Sequence, residues 1–193
     1  LYSRPGNASI VYCMGITQHT NGVDNVKSLA NLAMLTGNIG KAGTGVNPLR
    51  GQNNVQGACD MGGLPNVFTG YQPVTLGDAS KKFARAWGVD QLSQTIGLTI
   101  PEMLSAIEED KLNALWIMGE NPLVSDPDAN HVEAAFEKLD FLIVQDIFLT
   151  PTAKLADVVL PGTSFAEKDG TFVNTERRIT RVRKAVAPVG DSR

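Results

Sequence analysis

From residue 114 to residue 162 the chain repeats one pattern: an apolar run, a turn bearing glycine or aspartate, then a helix-forming segment. ALWIMGENP is followed by DANHVEAAFEKLD, FLIVQDIFLT by TAKLAD, and VVLPG closes the series. Runs that are apolar throughout, rather than at alternate positions, suit strands covered on both faces, and the helices between them supply the crossovers that parallel strands require. An α/β fold is expected: a doubly wound (Rossmann-like), mostly parallel sheet with helices on both faces. In DANHVEAAFEKLD, Val132, Ala135, Phe136 and Leu139 share one helical face.

Earlier, ASIVYCMG reads as a buried strand running into Gly15, and TNGVDNVKSLANLAMLTGNIG as a helix with Val26, Leu29, Ala30 and Ala33 inward. Thr20 or Asn21 can cap its start, Asp24 suits its positive end, and Gly37 or Gly40 can close it. DASKKFARAWG and TIPEMLSAIEEDK read as further helices, the second opened by Thr99 and Glu102 at capping-box spacing. Residues 37–70 hold nine of the nineteen glycines and only Lys41, Arg50 and Asp60 as charges, which reads as a long loop. Its Leu49, Val55, Met61, Leu64, Val67 and Phe68 favour burial, so an ordered loop is expected rather than a flexible linker. The tail from Glu167 alternates polarity as hairpin strands do.

With 193 residues, 42% of them hydrophobic, the chain can bury a core as one large domain or two small ones. A formal charge of −3 gives no general attraction for nucleic acid. The basic run RRITRVRK, residues 177–184, is read as a solvated strand face or as a surface meant for another part of the protein. No apolar run is long enough to span a bilayer and the first residues lack a signal pattern, so we expect a soluble chain with no direct membrane insertion, most simply cytoplasmic. Cys13, Cys59, His19 and His131 have no familiar metal spacing, and no metal site is assigned. Cys59 reads as a small buried residue, and both histidines as surface or internally satisfied positions.

Parallel sheets collect ligands beyond the carboxyl ends of their strands, and MGITQ, MGENP, VQDIF and LPGTS all lie there. Gly15 and Gly119 either let the backbone approach a phosphate or ring, or simply turn the chain. Glu120, Asn121, Gln145 and Asp146 offer groups for ribose hydroxyls or a purine edge, or serve as caps. In NPLRGQNNVQGACDMGGLPN, Arg50 is open to two readings. It is a partly buried arginine bonded to loop carbonyls, or a fork for a small carboxylate, with Gln52, Asn53, Asn54 and Gln56 satisfying heteroatoms of a large polar cofactor.

Taken together, MGITQHTNGVDNVKSLANLAMLTGNIGKAGTGVNPLRGQNNVQGACDMGGLPN, MGENPLVSDPD and VQDIFLTPTAKLADVVLPGTSFAEKDGTFVNTERRITRVRKAV closely resemble the catalytic subunit of molybdenum- or tungsten-dependent formate dehydrogenases. Those belong to the dimethyl sulfoxide reductase family of molybdopterin oxidoreductases. The resemblance covers essentially the whole chain and implies an internal fragment of a longer subunit. By it, residues 1–52 are the end of one α/β molybdopterin-dinucleotide domain with its crossing loop, 53–164 the C-terminal part of a second, and 165–193 the start of a hairpin or return segment of a further domain.

The resemblance further implies a bis-molybdopterin guanine dinucleotide with Mo or W, and a 4Fe–4S cluster in an N-terminal region outside this chain. The metal-ligating cysteine or selenocysteine also lies outside it, so the isolated fragment is expected to hold no cofactor and to be inactive alone. Carried over by position, Gly15, Thr17 and Gln18 match the first dinucleotide loop, and Gly119, Glu120, Asn121 and Ser125 the second. Gln145 and Asp146 match a nucleotide-reading strand end, Gly162 and Thr163 a later loop, and Gln52 a pterin contact. Arg50 matches a residue at the metal that faces formate. Position 121 is Asn where some relatives have Asp, and 162 is Gly where some have Ser. The implied reaction is oxidation of formate to carbon dioxide. Implied partners are the remaining domains of the subunit and electron-transfer subunits, and the isolated fragment is expected to self-associate. Two alternatives stand beside this: another molybdopterin oxidoreductase of nitrate reductase type, which should lack RGQNNVQGACDMG, and a non-catalytic structural relative such as the large peripheral subunit of respiratory complex I.

Overall fold

The computed structural model describes residues 1–174 and 176–192. They divide into two compact units, one of residues 1–58 with 173–178, the other of residues 59–172 with 179–193.

The first unit opens with β1 (Ser9–Tyr12), the single-turn α1 (Met14–Thr17), α2 (Gly22–Leu35) and β2 (Gly45–Pro48). β2 runs parallel to β1, with Ser9 opposite Gly45 and Tyr12 opposite Pro48, and α2 packs on the pair. The inward face of α2 is the predicted one: Ala33 is fully buried and Val26, Leu29 and Ala30 are half-buried. The turn from α1 into α2 needs glycine, because a Cβ on Gly22 would stand 2.1 Å from the Thr17 carbonyl oxygen. At its other end, Gly37 takes φ +65°, its N–H donates to Met34 O at 3.0 Å, and Asn38 N–H donates to Ala33 O at 2.8 Å. This is the paired closure that a left-handed residue after a helix allows. Asn38 is buried, its Oδ1 accepting the Ala8 N–H at 2.9 Å and its Nδ2 donating to Thr36 Oγ1 at 3.0 Å.

The strand expected within 8–15 is present as β1, but its expected burial does not hold. Val11 is 59% exposed, because a strand pair with one helix upon it leaves its opposite face open. Residues 37–70 are also more regular than a loop, since they contain β2, α3 (Val55–Asp60) and β3 (Val67–Phe68). Short elements rich in glycine lack the periodicity by which a strand or helix is recognised.

In the second unit β3 pairs antiparallel with β4 (Gln72–Pro73), and α4 (Gly77–Trp87) follows. Phe68, Phe83 and Trp87 stack there, with Phe83 5.0 Å from Phe68 and 5.2 Å from Trp87 between ring centres. α5 (Ile100–Glu108) starts at the predicted capping box: Thr99 N–H donates to Glu102 Oε2 at 2.7 Å. That bond holds the Glu102 carboxyl below the usual carboxylate range, and a like bond from Ser164 N–H, 2.7 Å long, does the same for Glu167.

Then come β5 (Ala114–Met118), α6 (Pro122–Ser125), α7 (Ala129–Phe136), β6 (Phe141–Asp146), α8 (Pro151–Lys154) and β7 (Val158–Pro161). The strands form a parallel sheet in the order β5-β6-β7, with Ile117 opposite Val144 and Val144 opposite Val159. Ile117, Leu142 and Val144 make one core with Ile107 of α5, Val132, Ala135 and Phe136 of α7, and Ala153 of α8. Leu139 packs on this core from the turn after α7, which ends at Phe136. Parallel strands added in one direction through right-handed crossovers receive their helices on one face. The parallel α/β sheet is the one expected, but the helices expected on both faces are not: among the described residues the other face, with Trp116 at 55%, Met118 at 64% and Phe141 at 43% exposure, is open. In the tail β8 (Gly170–Val173) and β9 (Ile179–Val182) pair as a two-stranded sheet. Among the described residues no helix is long and apolar enough to cross a membrane.

Candidate functional site

The predicted residues gather at strand carboxyl ends, some in each unit. In the first, β1 and β2 finish side by side: Leu49 N–H donates to the Tyr12 carbonyl at 2.8 Å, and Arg50 is the next residue. From the end of β1 the chain turns through Gly15 and Thr17 to Gln18, all three exposed. Nothing lies within 4 Å of where a Gly15 Cβ would stand, so its backbone is open to a flat or anionic group. His19 is the exposed, satisfied histidine that was expected, with Nε2 donating to Gly15 O at 3.0 Å.

Arg50 is exposed, and it is the side chain of Gln56 that meets it, not loop carbonyls. Its Nε donates to Gln56 Oε1 at 3.3 Å, and Gln56, on α3, is 8% exposed. Asn54 stands at φ +60° just before α3, and its Oδ1 accepts the Val173 N–H at 3.0 Å. Of the four amides read as cofactor contacts, then, Asn54 and Gln56 are engaged internally, whereas Gln52 and Asn53 are exposed. Nothing in residue spacing separates these pairs. The left-handed residue at 54 starts α3 and so decides which amides turn inward.

In the second unit the ends of β5, β6 and β7 lie in register, Met118 opposite Gln145 and Asp146 opposite Pro161. Gly119 leaves β5 at φ +65°, its N–H donating to Gln145 O at 2.8 Å, with open space where a side chain would be. Ser125 Oγ donates to Glu120 Oε1 at 2.9 Å. Asn121 caps α6, and its Oδ1 accepts both Thr152 Oγ1 at 2.7 Å and Thr152 N–H at 3.2 Å. Its side-chain oxygen therefore belongs to the fold, and only its Nδ2 can serve a ligand. Thr152 is fully buried, and sequence reading missed it because its partner is 31 residues away. Gln145 and Asp146 are half-buried, Asp146 Oδ1 accepting the Phe148 N–H at 3.1 Å and its carbonyl the Gly162 N–H at 2.9 Å. Gly162 and Thr163, both half-buried, follow β7.

The strand ends thus bring together Gly15, Thr17, Gln18, Arg50 and Gln52 in one unit, and Gly119, Glu120, Asn121, Ser125, Gln145, Asp146, Gly162 and Thr163 in the other. Open glycines beside amides, hydroxyls and carboxylates suit a heterocycle with hydroxyl-bearing substituents. Among the described residues no three of His, Cys, Asp and Glu group as metal ligands would. Cys59 is buried, and Cys13 half-buried. In the basic run, Arg178 lies 3.8 Å from Glu176 and Arg181 3.8 Å from Asp169, all four well exposed, as on a solvated face.

Residues 6–193 match the molybdopterin oxidoreductase family. The chain is similar to the alpha subunit of F420-dependent formate dehydrogenase from Methanocaldococcus jannaschii, 65% identical over 192 residues, which are 100% of this chain and 28% of that protein. It is 62% identical over 192 residues to the alpha subunit of F420-dependent formate dehydrogenase 1 from Methanococcus maripaludis, again 100% of this chain and 28% of that protein. To formate dehydrogenase H from Escherichia coli it is 49% identical over 191 residues, 99% of this chain and 27% of that one. The chain therefore spans about 28% of the length of these relatives.

Proposed function

Because this chain belongs to the molybdopterin oxidoreductase family, we propose that it is the part of a formate dehydrogenase catalytic subunit that carries cofactor loops and the substrate-facing arginine. Similarity to subunits named as formate dehydrogenases over the whole of this chain supports the reading. The observation that carries it is Arg50: a guanidinium at the end of a parallel strand, exposed, with Gln56 its one hydrogen-bond partner among the described residues.

The family's cofactor is molybdopterin. As a pair of guanine dinucleotides carrying Mo or W, it would draw on Gly15, Thr17, Gln18 and Gln52 of the first unit for one dinucleotide, and on Gly119, Glu120, Asn121 Nδ2, Ser125, Gln145, Asp146, Gly162 and Thr163 of the second for the other. The chemistry that group supplies when bound is acceptance of two electrons from formate, whose C–H bond breaks to leave carbon dioxide and a proton. Arg50 binds and orients the substrate. Its planar fork pairs with the carboxylate by two parallel hydrogen bonds, and the pairing is lost when the neutral product forms. The electrons leave through other parts of the subunit and its electron-transfer partners. Separated from them, the chain presents Trp116, Met118 and Phe141 on an open sheet face, which draws copies together.

The test is Arg50→Lys in the full-length subunit, with formate oxidation, bound metal and pterin all measured. Lysine keeps the charge and loses the fork. kcat/KM should fall by about 100-fold to about 1,000-fold while cofactor content stays normal, as when one donor to a reacting oxyanion is removed. Unchanged activity would refute the role in formate binding. Loss of cofactor together with activity would assign the loop to holding the pterins instead.

A further inference from the structure

An exposed arginine on a loop samples many rotamers, and a fork helps binding only if it is aimed beforehand. Gln56 aims Arg50. Gln56, 8% exposed, accepts the Arg50 Nε–H at 3.3 Å. We propose that Gln56 is a positioning residue that fixes which edge of the Arg50 guanidinium meets the substrate carboxylate; the assignment rests on the formate reading above.

A guanidinium has two edges able to grip a carboxylate: Nε with one terminal nitrogen, or the two terminal nitrogens together. Gln56 occupies Nε, so the edge formed by Nη1 and Nη2 is the one presented. The choice of a neutral amide matters as well. A carboxylate at this place would hold Nε equally well but would cancel the charge that attracts an anion. Gln56 itself is firmly placed. The residue two before it, Asn54, is locked at φ +60° by its bond to Val173 N–H, and Gly57 beside it has no room for a side chain, since a Cβ would lie 2.2 Å from Asn54 Oδ1.

Residues on rigid elements that hold a reacting group within a narrow range of angles are those whose loss degrades substrate binding without touching the substrate. Gln56→Met, similar in volume but without the acceptor, should raise KM for formate by about 10-fold, the loss of one hydrogen bond to a charged group. The inhibition constant of nitrite, which shares formate's bent O–X–O shape and has no hydrogen to transfer, should rise in parallel, while kcat changes by less than about 3-fold. The decisive arm is the full-length Arg50→Lys variant. Lysine has no Nε–H for Gln56 to hold, so adding Gln56→Met there should change KM and the nitrite constant by less than about 2-fold. An equal penalty in both backgrounds would mean that Gln56 only supports the fold and would overturn the proposal. If Gln56→Met does not load cofactor, Gln56→Glu decides: it keeps the acceptor and should still weaken nitrite binding by about 10-fold through the negative charge it adds beside Arg50, and an unchanged constant overturns the proposal. Should Arg50→Lys alone leave formate and nitrite affinity intact, it is the formate reading of Arg50 that fails, and a lone effect of Gln56→Met would then have to arise without Arg50.

Discussion

Each of the two units is held by its own chemistry. In the first, Ala33 is the buried apolar side chain among the described residues, and beside it Asn38 and Gln56 are buried amides joined to Ala8 and Arg50. In the second, Ile107, Ile117, Val132, Phe136, Leu142 and Val144 close into a continuous apolar core. Buried aliphatic area contributes free energy in proportion to its extent and with little regard to angle. Buried hydrogen bonds contribute less on balance but fix direction. Arg50 belongs to the unit where direction is secured by amides. The strand-end loops of the second unit stand on a core that would tolerate change around them.

The largest test of this contrast is Leu142→Ala, which should lower unfolding stability by about 2–5 kcal/mol, the range for emptying a buried leucine site. Leu142 is 2% exposed. Val11→Ala, at a residue 59% exposed in the first unit, should stay within about 0.5 kcal/mol. Denaturant titration reads both, and equal losses would erase the contrast. Next comes Asn38→Ala, which strands the Ala8 N–H and should cost about 1–3 kcal/mol. Hydrogen exchange should speed up for amides of β1 and β2 and not for those of β5, β6 and β7. Acceleration of β6 to the same degree would show that the units do not differ as described.

Acid gives a smaller effect, confined to the second unit. Backbone N–H groups of Thr99 and Ser164 hold the Glu102 and Glu167 carboxyls low in the folded chain. A lowered folded value means a stabilising contribution that is complete above the unfolded pKa, about 4.3 for glutamate, and lost as pH falls through the folded value. Stability measured from about pH 6 downward should therefore start to drop near the ordinary glutamate range, and Glu102→Gln should flatten that slope. A small effect also belongs to the pair of His131 and Glu108, 2.8 Å apart and 43% and 41% exposed, which links α7 to α5. His131→Gln, which loses the bond to Glu108, should cost no more than about 1 kcal/mol, as for other exposed side-chain pairs. A larger loss would give the α5–α7 contact a polar contribution that the apolar core does not predict.

The parallel sheet of the second unit was legible from the apolar runs ALWIM and FLIV between helix-forming segments, and the inward face of α2 from the period of Val26, Leu29 and Ala33. The capping box at Thr99 and Glu102 was legible because its partners are three residues apart. Exposure of Val11 was not, since an apolar run does not say how many layers will cover it. Nor was the inward turn of Gln56 in a row of similar amides, which depends on the backbone angle at Asn54. Arg50 stands out in the sequence by its type and its glycine-rich surroundings, whereas the group that holds it, Gln56, is set by the fold.

Thr152 carries one more consequence. It sits at the start of the helix after β6, and its hydroxyl and N–H both end on Asn121, in the loop after β5, while the same hydroxyl accepts the Leu123 N–H at 3.2 Å. Two neighbouring loops thereby share a single buried joint. A ligand that shifts Asn121 must move Thr152 and the helix behind Gln145 and Asp146, and a ligand that shifts those must move Asn121 in return. Such influence is reciprocal by thermodynamic necessity. Contacts made at the two strand ends are thereby coupled, each changing the affinity of the other by the same factor, and Thr152→Val, which removes the hydroxyl but keeps the N–H bond to Asn121, should weaken that coupling.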